Sequence, residues 1–328
     1  MKSVPFSKSG RETTRIGFGA WAIGGTWGEV SWKDAKATLH ASLDAGVTFI
    51  DTADVYGDGR SEKIIAEVLK ERGGPFPFVA TKAGRRLNPH VANGYTLENL
   101  SAFVERSRQN LQMDCLDLVQ LHCPPTPVYG SNEAFDALEV LKTRRWISNY
   151  GVSVETVAEA ETALGHAGVV SIQIIYNLFR MKPSERLFQK AAARDVAIIA
   201  RVPLASGLLT GKMSRDSQFA ADDHRSFNRN GEAFDKGETF SGVPFEVALE
   251  AVEALRPLVP GGATMAAFAL RWILMEPAVT VVIPGAKNPE QARANVAADA
   301  LPNIDLATME KAREVYDRLI APHVHHLW

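Results

Sequence analysis

Apolar and polar positions along the chain follow two alternating periods. Val47, Phe49 and Ile50 form a short apolar run that stops at Asp51, Thr52, Ala53, Asp54, Val55, Tyr56 and Gly57. Phe78 to Ala80 run into Thr81 and Lys82 in the same way, and Leu118 to Leu121 run into His122. Each reads as a buried strand ending in a polar turn. Between these runs lie stretches of helical period with their own boundary signals. Ser31 and Asp34 make a variant capping box that opens a helix lasting to Ala45, and Gly46 ends it. The pattern then repeats: helix 61–70 with strand 76–82, helix 97–111 with strand 116–122, and helix 132–144 with strand 147–153. Helix 155–164 precedes strand 171–176, and helix 184–194 precedes strand 196–202. The last strand, 278–284, follows an excursion with apolar helices at 246–255 and 265–275. With residues 16–21 as the first strand this makes eight βα units, which predicts an α/β fold: a (β/α)8 TIM barrel forming one domain over 1–328, with an N-terminal hairpin in 1–15.

Three stretches fall outside the alternation. Residues 214–243 are rich in Asp, Arg, Asn, Gly and Phe with little periodicity, the mark of a lid or mobile loop on the C-terminal face. Residues 124–131 form a shorter loop on that face. The stretch 322–328, with His323, His325 and His326, reads equally as a third rim element or as a frayed end.

Composition narrows the partner. Hydrophobic residues make up 46% of 328 residues, enough for a large core, and the formal net charge of -2 offers no basic field for nucleic acid or a membrane surface. The two cysteines, Cys115 and Cys123, form neither a disulfide framework nor a zinc motif. No run of about 18 apolar residues occurs, and residues 1–10 lack a signal-peptide core. A cytoplasmic monomer acting on a small molecule is the expectation.

Two motifs mislead. Gly17, Gly19 and Ala22 match a dinucleotide fingerprint, but residues 21–27 form a Gly/Trp loop not expected to start the helix that the fingerprint needs. Gly207, Gly211 and Lys212 approach a phosphate loop, but the glycines stand too close and Met213 replaces the required hydroxyl residue. Asp51, Lys82 and His122 are more informative, because in a parallel barrel successive strand ends open onto one face. A tyrosine gives up a proton slowly near neutrality unless a cation steadies its phenolate. Lys82 can be that cation for Tyr56, Asp51 can orient Lys82, and His122 can bind a carbonyl oxygen beside them. Such a set protonates a carbonyl oxygen while a hydride attacks the carbon, and only a nicotinamide can supply the hydride. A Schiff-base role for Lys82 is the competing enzyme reading, disfavoured because Asp51 would keep the amine charged.

These residues resemble the aldo-keto reductase superfamily, over nearly the whole length. The resemblance rests on Gly17 to Trp21, Asp51 to Gly57 with Gly59, Ser61 and Glu62, Thr81-Lys82, Leu121-His122, Gly151 to Ser153, Gly207 to Lys212, and Ile283 to Gly285 with Gln291 and Asn295. The last forms are similar to the bacterial branch related to potassium-channel beta subunits. It implies reversible NADPH-dependent reduction of an aldehyde or ketone, with Asp51, Tyr56, Lys82 and His122 as the catalytic set. It further implies that Ser153 and Gln173 hold the carboxamide, with Asp51 near the nicotinamide ribose and Gly19, Ala20 and Trp21 also at the cofactor. Leu204, Ser206, Gly207 and Lys212 would line the pyrophosphate channel, Gly285, Lys287, Gln291 and Asn295 the adenosine end, with Arg201 at the nicotinamide and Pro203 also at the cofactor. Lys287 would favour NADP over NAD by meeting a 2′-phosphate.

Three departures stand out: Val154 replaces the usual Asn, Arg201 replaces a stacking aromatic ring, and Ala294 replaces an acidic residue. A charged guanidinium against the nicotinamide would favour the reduced cofactor. Trp21, Val55, Tyr56, His122 and Tyr129, with the loops around Pro125 and Phe227, are expected to wall an apolar substrate pocket. A cofactor-sensing protein with little turnover is the alternative that the channel-subunit resemblance allows.

Overall fold

The computed structural model describes residues 1–25, 28 and 30–328. Two short antiparallel strands, β1 (Ser3–Pro5) and β2 (Glu12–Thr14), form the expected hairpin. Eight parallel strands follow: β3 (Phe18–Gly19), β4 (Phe49–Asp51), β5 (Phe78–Ala83), β6 (Leu116–His122), β7 (Ile147–Ser153), β8 (Val169–Ile175), β9 (Ala197–Arg201) and β10 (Val279–Val282). They pair strictly in sequence order. Ile16 bridges Val282 and Gly19 bridges Gly285, which joins the last strand to the first and closes the barrel. At that seam a Cβ on Gly19 would lie 2.6 Å from the Ile283 carbonyl oxygen, so only glycine lets the two backbones meet.

The interior and the helix-facing layer form two separate cores. Phe49, Phe78, Ala80, Leu118, Val170, Ala197, Ile199, Val281 and Ile283 fill the barrel interior, and Phe6 from the hairpin plugs its N-terminal end. The Phe6 ring lies 5.4 Å from that of Phe49 and 5.0 Å from that of Phe78. The second core packs the outer strand faces against helices such as Trp32–Asp44, which starts where Ser31 Oγ accepts from the Asp34 amide.

Two expectations change. Trp21–Gly24 does form one helical turn, which Gly25 ends at φ +110°; the strand before it belongs to a barrel, so no dinucleotide-binding βαβ unit results. Residues 214–243 are not structureless: a helical turn at His224–Phe227 and 3-10 turns at Lys236–Glu238 and Phe240–Gly242 are held by buried polar groups. Asn228 anchors them by accepting from the Ala233 and Phe234 amides and donating to Thr239. The 322–328 stretch is docked: the Trp328 indole donates to Asp235 at 3.1 Å and stacks 4.0 Å from the Arg180 guanidinium.

Candidate active site

Strand alternation puts the polar residues inside the barrel mouth. In β5, Phe78 and Ala80 point inward and Val79 outward, so continuing the period of two turns Lys82 inward. In β6, Leu118 points inward and Val119 and Leu121 outward, which turns Gln120 and His122 inward as well. The register sets Lys82 beside Gln120, His122 beside Ser153 and Ser153 beside Gln173. Tyr56 arrives from the turn after β4. Gly57 follows it at φ +59°, where a Cβ would lie 2.0 Å from the Gly24 carbonyl oxygen, so the turn is wedged against the first helical turn.

Lys82 is 1% exposed and uses all three of its donors. Its Nζ donates to Asp51 Oδ1 at 2.5 Å, to the Thr52 carbonyl at 2.8 Å and to the Tyr56 hydroxyl at 3.3 Å. The other Asp51 oxygen accepts from Gln173 Nε2 at 2.7 Å and Gln120 Nε2 at 3.3 Å. Burial works to lower the Lys82 pKa, but Asp51 and Tyr56 together outweigh it and the net shift is upward, which keeps the amine charged and unsuited to a Schiff base. Burial raises Tyr56 above its ordinary value; Lys82 pulls it back without reversing it, so the expected phenolate stabilisation is present but burial exceeds it. The His122 ring meets Tyr56 edge-on at 6.0 Å. Burial, with Arg85, Lys82 and Arg201 beside it, holds His122 well below the usual imidazole range. It is therefore neutral, and its buried Nδ1 has no hydrogen-bond partner.

Above this cluster lies a cavity of about 500 Å³. Asp51, Tyr56, His122, Ser153, Gln173, Trp21 and Arg201 line one part of it, and Gly19, Pro203, Leu204, Ser206, Gly207, Lys212, Gly285, Lys287, Gln291 and Asn295 also face it. Among the residues expected at the cofactor, only Ala20 is not in the lining; its amide donates to the Asp51 carbonyl. The cavity suits a nicotinamide dinucleotide. Three glycines allow close backbone approach, and Lys212, Lys287 and Arg225 bring positive charge toward phosphates.

The substrate wall needs correcting. Trp21 lines the cavity, stacked 6.0 Å from Tyr56 and tilted against His224 at 4.8 Å. Tyr129 does not: it is fully buried, and its hydroxyl donates to the Ser153 carbonyl at 2.9 Å, propping the end of β7. Val55 and Phe227 also lie outside the lining, and so does Phe234, whose ring meets Trp21 edge-on at 6.0 Å.

Four charged residues missed in the sequence surround Arg201 or the cavity: Arg85, Glu155, Glu238 and Arg225. Arg201 Nη2 donates to Glu155 Oε2 at 2.8 Å and the Val154 carbonyl at 3.0 Å, and Nη1 stands 3.6 Å from Glu238 Oε1. Arg85 Nη2 donates to the same Glu238 oxygen at 2.9 Å. Burial pushes Glu155 up to about 7; in Glu238 the two guanidiniums overcome burial and hold the carboxylate well below its usual range. Arg201 thus carries a compensated charge, which weakens the preference for reduced cofactor expected of a bare guanidinium. Cys123 Sγ and one oxygen each of Glu155 and Glu238 lie within 4.8 Å of one another, but guanidinium groups already occupy the place a cation would take. No periodic signal marks these residues, because they sit on loops and meet only through the fold.

Comparison with known proteins agrees with this geometry. The aldo/keto reductase family model matches residues 15–317. The aldo-keto reductase YhdN of Bacillus subtilis is 33% identical over 303 residues, covering 90% of this chain and 87% of that protein. A probable voltage-gated potassium channel subunit beta of Arabidopsis thaliana is 28% identical and covers 96% of both chains. The solved structure of the glycerol dehydrogenase AKR11B4 from Gluconobacter oxydans superposes with a TM-score of 0.75 at 29% identity, covering 98% of this chain and 96% of that one. Aldo-keto reductases bind nicotinamide cofactors and act on small carbonyl substrates. The chain belongs to the aldo/keto reductase family and is an oxidoreductase of the (β/α)8 barrel fold.

Proposed function

We propose that the protein reduces an aldehyde or ketone to the alcohol with NADPH, and that Tyr56 is the proton donor. The observation that carries this reading is the single ammonium of Lys82 held between Asp51 at 2.5 Å and the Tyr56 hydroxyl at 3.3 Å, beneath the cavity. When bound, NADPH supplies the hydride. Tyr56 holds the proton that the carbonyl oxygen receives, and Lys82 steadies the phenolate left behind. His122, neutral by burial, orients the carbonyl oxygen by hydrogen bonding without competing as an acid. Asp51 keeps Lys82 charged and is itself fixed by Gln120 and Gln173. Gln173 spends its amide nitrogen on Asp51 and keeps its carbonyl for a carboxamide, with Ser153 next to it in the register. Lys287 and Arg225 favour a 2′-phosphorylated cofactor by charge.

The test is NADPH consumption against a panel of aliphatic and aromatic aldehydes. Turnover supports the reductase. Tight NADPH binding with no turnover on any carbonyl supports the cofactor-sensing alternative that the relation to channel beta subunits favours.

A further inference from the structure

Beside Trp21 the cavity lining is charged, not apolar: Arg201 and Glu238 both face it. Glu238 belongs to a 3-10 turn of the 214–243 segment, is 5% exposed and lines the cavity. It is rigidly placed: its carbonyl accepts from Ser206 Oγ at 3.1 Å, its amide donates to the Asp235 carbonyl, and its carboxylate is gripped by Arg85. Phe234, four residues earlier, touches Trp21 and lies 6.0 Å from the Arg85 guanidinium. Trp21 and Glu238 therefore line the cavity with Tyr56 and His122, and Phe234 and Arg85 pack behind them.

Hydrogen-bonding capacity on this wall is unequal. Both terminal nitrogens of Arg201 face Glu155, Val154 or Glu238, and its Nε is buried without a partner. Arg85 spends Nη2 on Glu238 and Glu155 and is not in the lining. The two guanidiniums are thus turned toward two carboxyl groups, and Arg201 presents mainly its flat face. On this wall the cavity-lining acceptor is the Glu238 carboxylate, whose two oxygens can accept more hydrogen bonds than Arg85, Arg201 and Glu155 supply.

We propose that Glu238 is a specificity-determining residue that selects neutral, hydroxyl-bearing aldehydes and ketones and rejects carbonyl compounds carrying a carboxylate. This rests on the reductase reading. A substrate hydroxyl near the carbonyl donates to Glu238; a hydrocarbon in its place leaves the acceptor sites that Arg85 does not fill without a donor, and a second carboxylate beside Glu238 is repelled.

The experiment compares kcat/KM, on the free-aldehyde concentration, for glyceraldehyde, for 2-methylbutanal, in which methyl groups replace both hydroxyls, and for succinic semialdehyde. The wild-type protein is expected to prefer glyceraldehyde to 2-methylbutanal at least tenfold, with succinic semialdehyde the poorest. Glu238→Gln should shrink the first ratio about tenfold and raise the relative rate on succinic semialdehyde. Glu155→Gln, which alters the same charge network from outside the cavity lining, should leave the ratios within threefold. Turnover with 2-methylbutanal equal to or faster than glyceraldehyde, or a preference for succinic semialdehyde, overturns the assignment while the reductase reading stands. Absence of turnover on all three and on simple aldehydes overturns both. The wild-type ratios decide the matter even where Glu238→Gln does not fold.

Discussion

Replacing Lys82 by methionine keeps an unbranched apolar stem and removes the terminal ammonium with its charge and donors. Two separate costs follow. In the wild type the ammonium sits 3.3 Å from the Tyr56 hydroxyl. With an effective dielectric constant of about 20, a unit charge at that distance is worth on the order of 5 kcal/mol to a phenolate, or about three to four pKa units. Asp51 opposes this from the other side of Lys82, so a loss of about 2–5 kcal/mol in transition-state stabilisation is expected, roughly 30- to 5,000-fold in kcat. Stability suffers independently: Asp51 would remain 2% exposed with only two amide donors, and stranding a buried charge costs about 3–5 kcal/mol. The double variant Asp51→Asn/Lys82→Met separates the two effects, since a neutral pair should recover most of the melting temperature and none of the activity. The assay is steady-state aldehyde reduction beside thermal unfolding for wild type, both singles and the double. A folded Lys82→Met retaining kcat within threefold, or a double variant that regains activity along with stability, refutes the assignment of Lys82 to Tyr56.

Other outcomes follow from the same geometry. Asp54 is fully buried, neither carboxylate oxygen has a partner, and burial, with Glu62 nearby, raises its pKa from 3.8 to about 7. The folded state thus holds a proton the unfolded chain releases, so stability falls as pH rises from about 4 to 7, by on the order of 4 kcal/mol. Asp54→Asn should abolish that slope in melting curves at pH 5 and 8, and an unchanged slope would reject it. Because Tyr56 is raised and His122 lowered, the reduction rate should be flat through neutrality and fall only at alkaline pH; a limb near pH 6.5 in kcat would contradict a neutral His122. Lys287→Ala should weaken NADPH binding about tenfold and leave NADH unchanged in fluorescence titrations, and equal losses for both would remove it from the 2′-phosphate. Trp328→Ala should lower the urea-unfolding free energy by about 3 kcal/mol through loss of its contacts with Arg180 and Asp235, and a change under 1 kcal/mol would show the docking to be incidental.

The barrel is legible in the sequence because its strands are short, apolar and cut off by polar turns, which a period count detects even where boundaries move by a few residues. The placement of Asp51, Tyr56, Lys82 and His122 is legible for a related reason: three of them end consecutive strands, and parallel strands put consecutive ends together. Gln173 and Ser153 are reached only through the family resemblance, since nothing in their local pattern separates them from other strand residues. Glu238, Arg85 and Glu155 are invisible at that level. They belong to three different loops, and the ion pairs joining them depend on how residues 214–243 fold back over the mouth, which hydrophobic periodicity does not encode. Tyr129 misleads for the opposite reason: a tyrosine after a strand end reads as a pocket wall, whereas here its hydroxyl finds the Ser153 carbonyl inside the packing.

The most direct measurement is single-turnover reduction of an aldehyde by the preloaded NADPH complex of wild type and Tyr56→Phe, with NADPH affinity determined on the same samples. The proton-donor reading predicts unchanged affinity within threefold and a rate lower by several kcal/mol of activation free energy, about 10³-fold or more. A Tyr56→Phe protein that binds NADPH normally and reduces aldehyde at more than a tenth of the wild-type rate would contradict it.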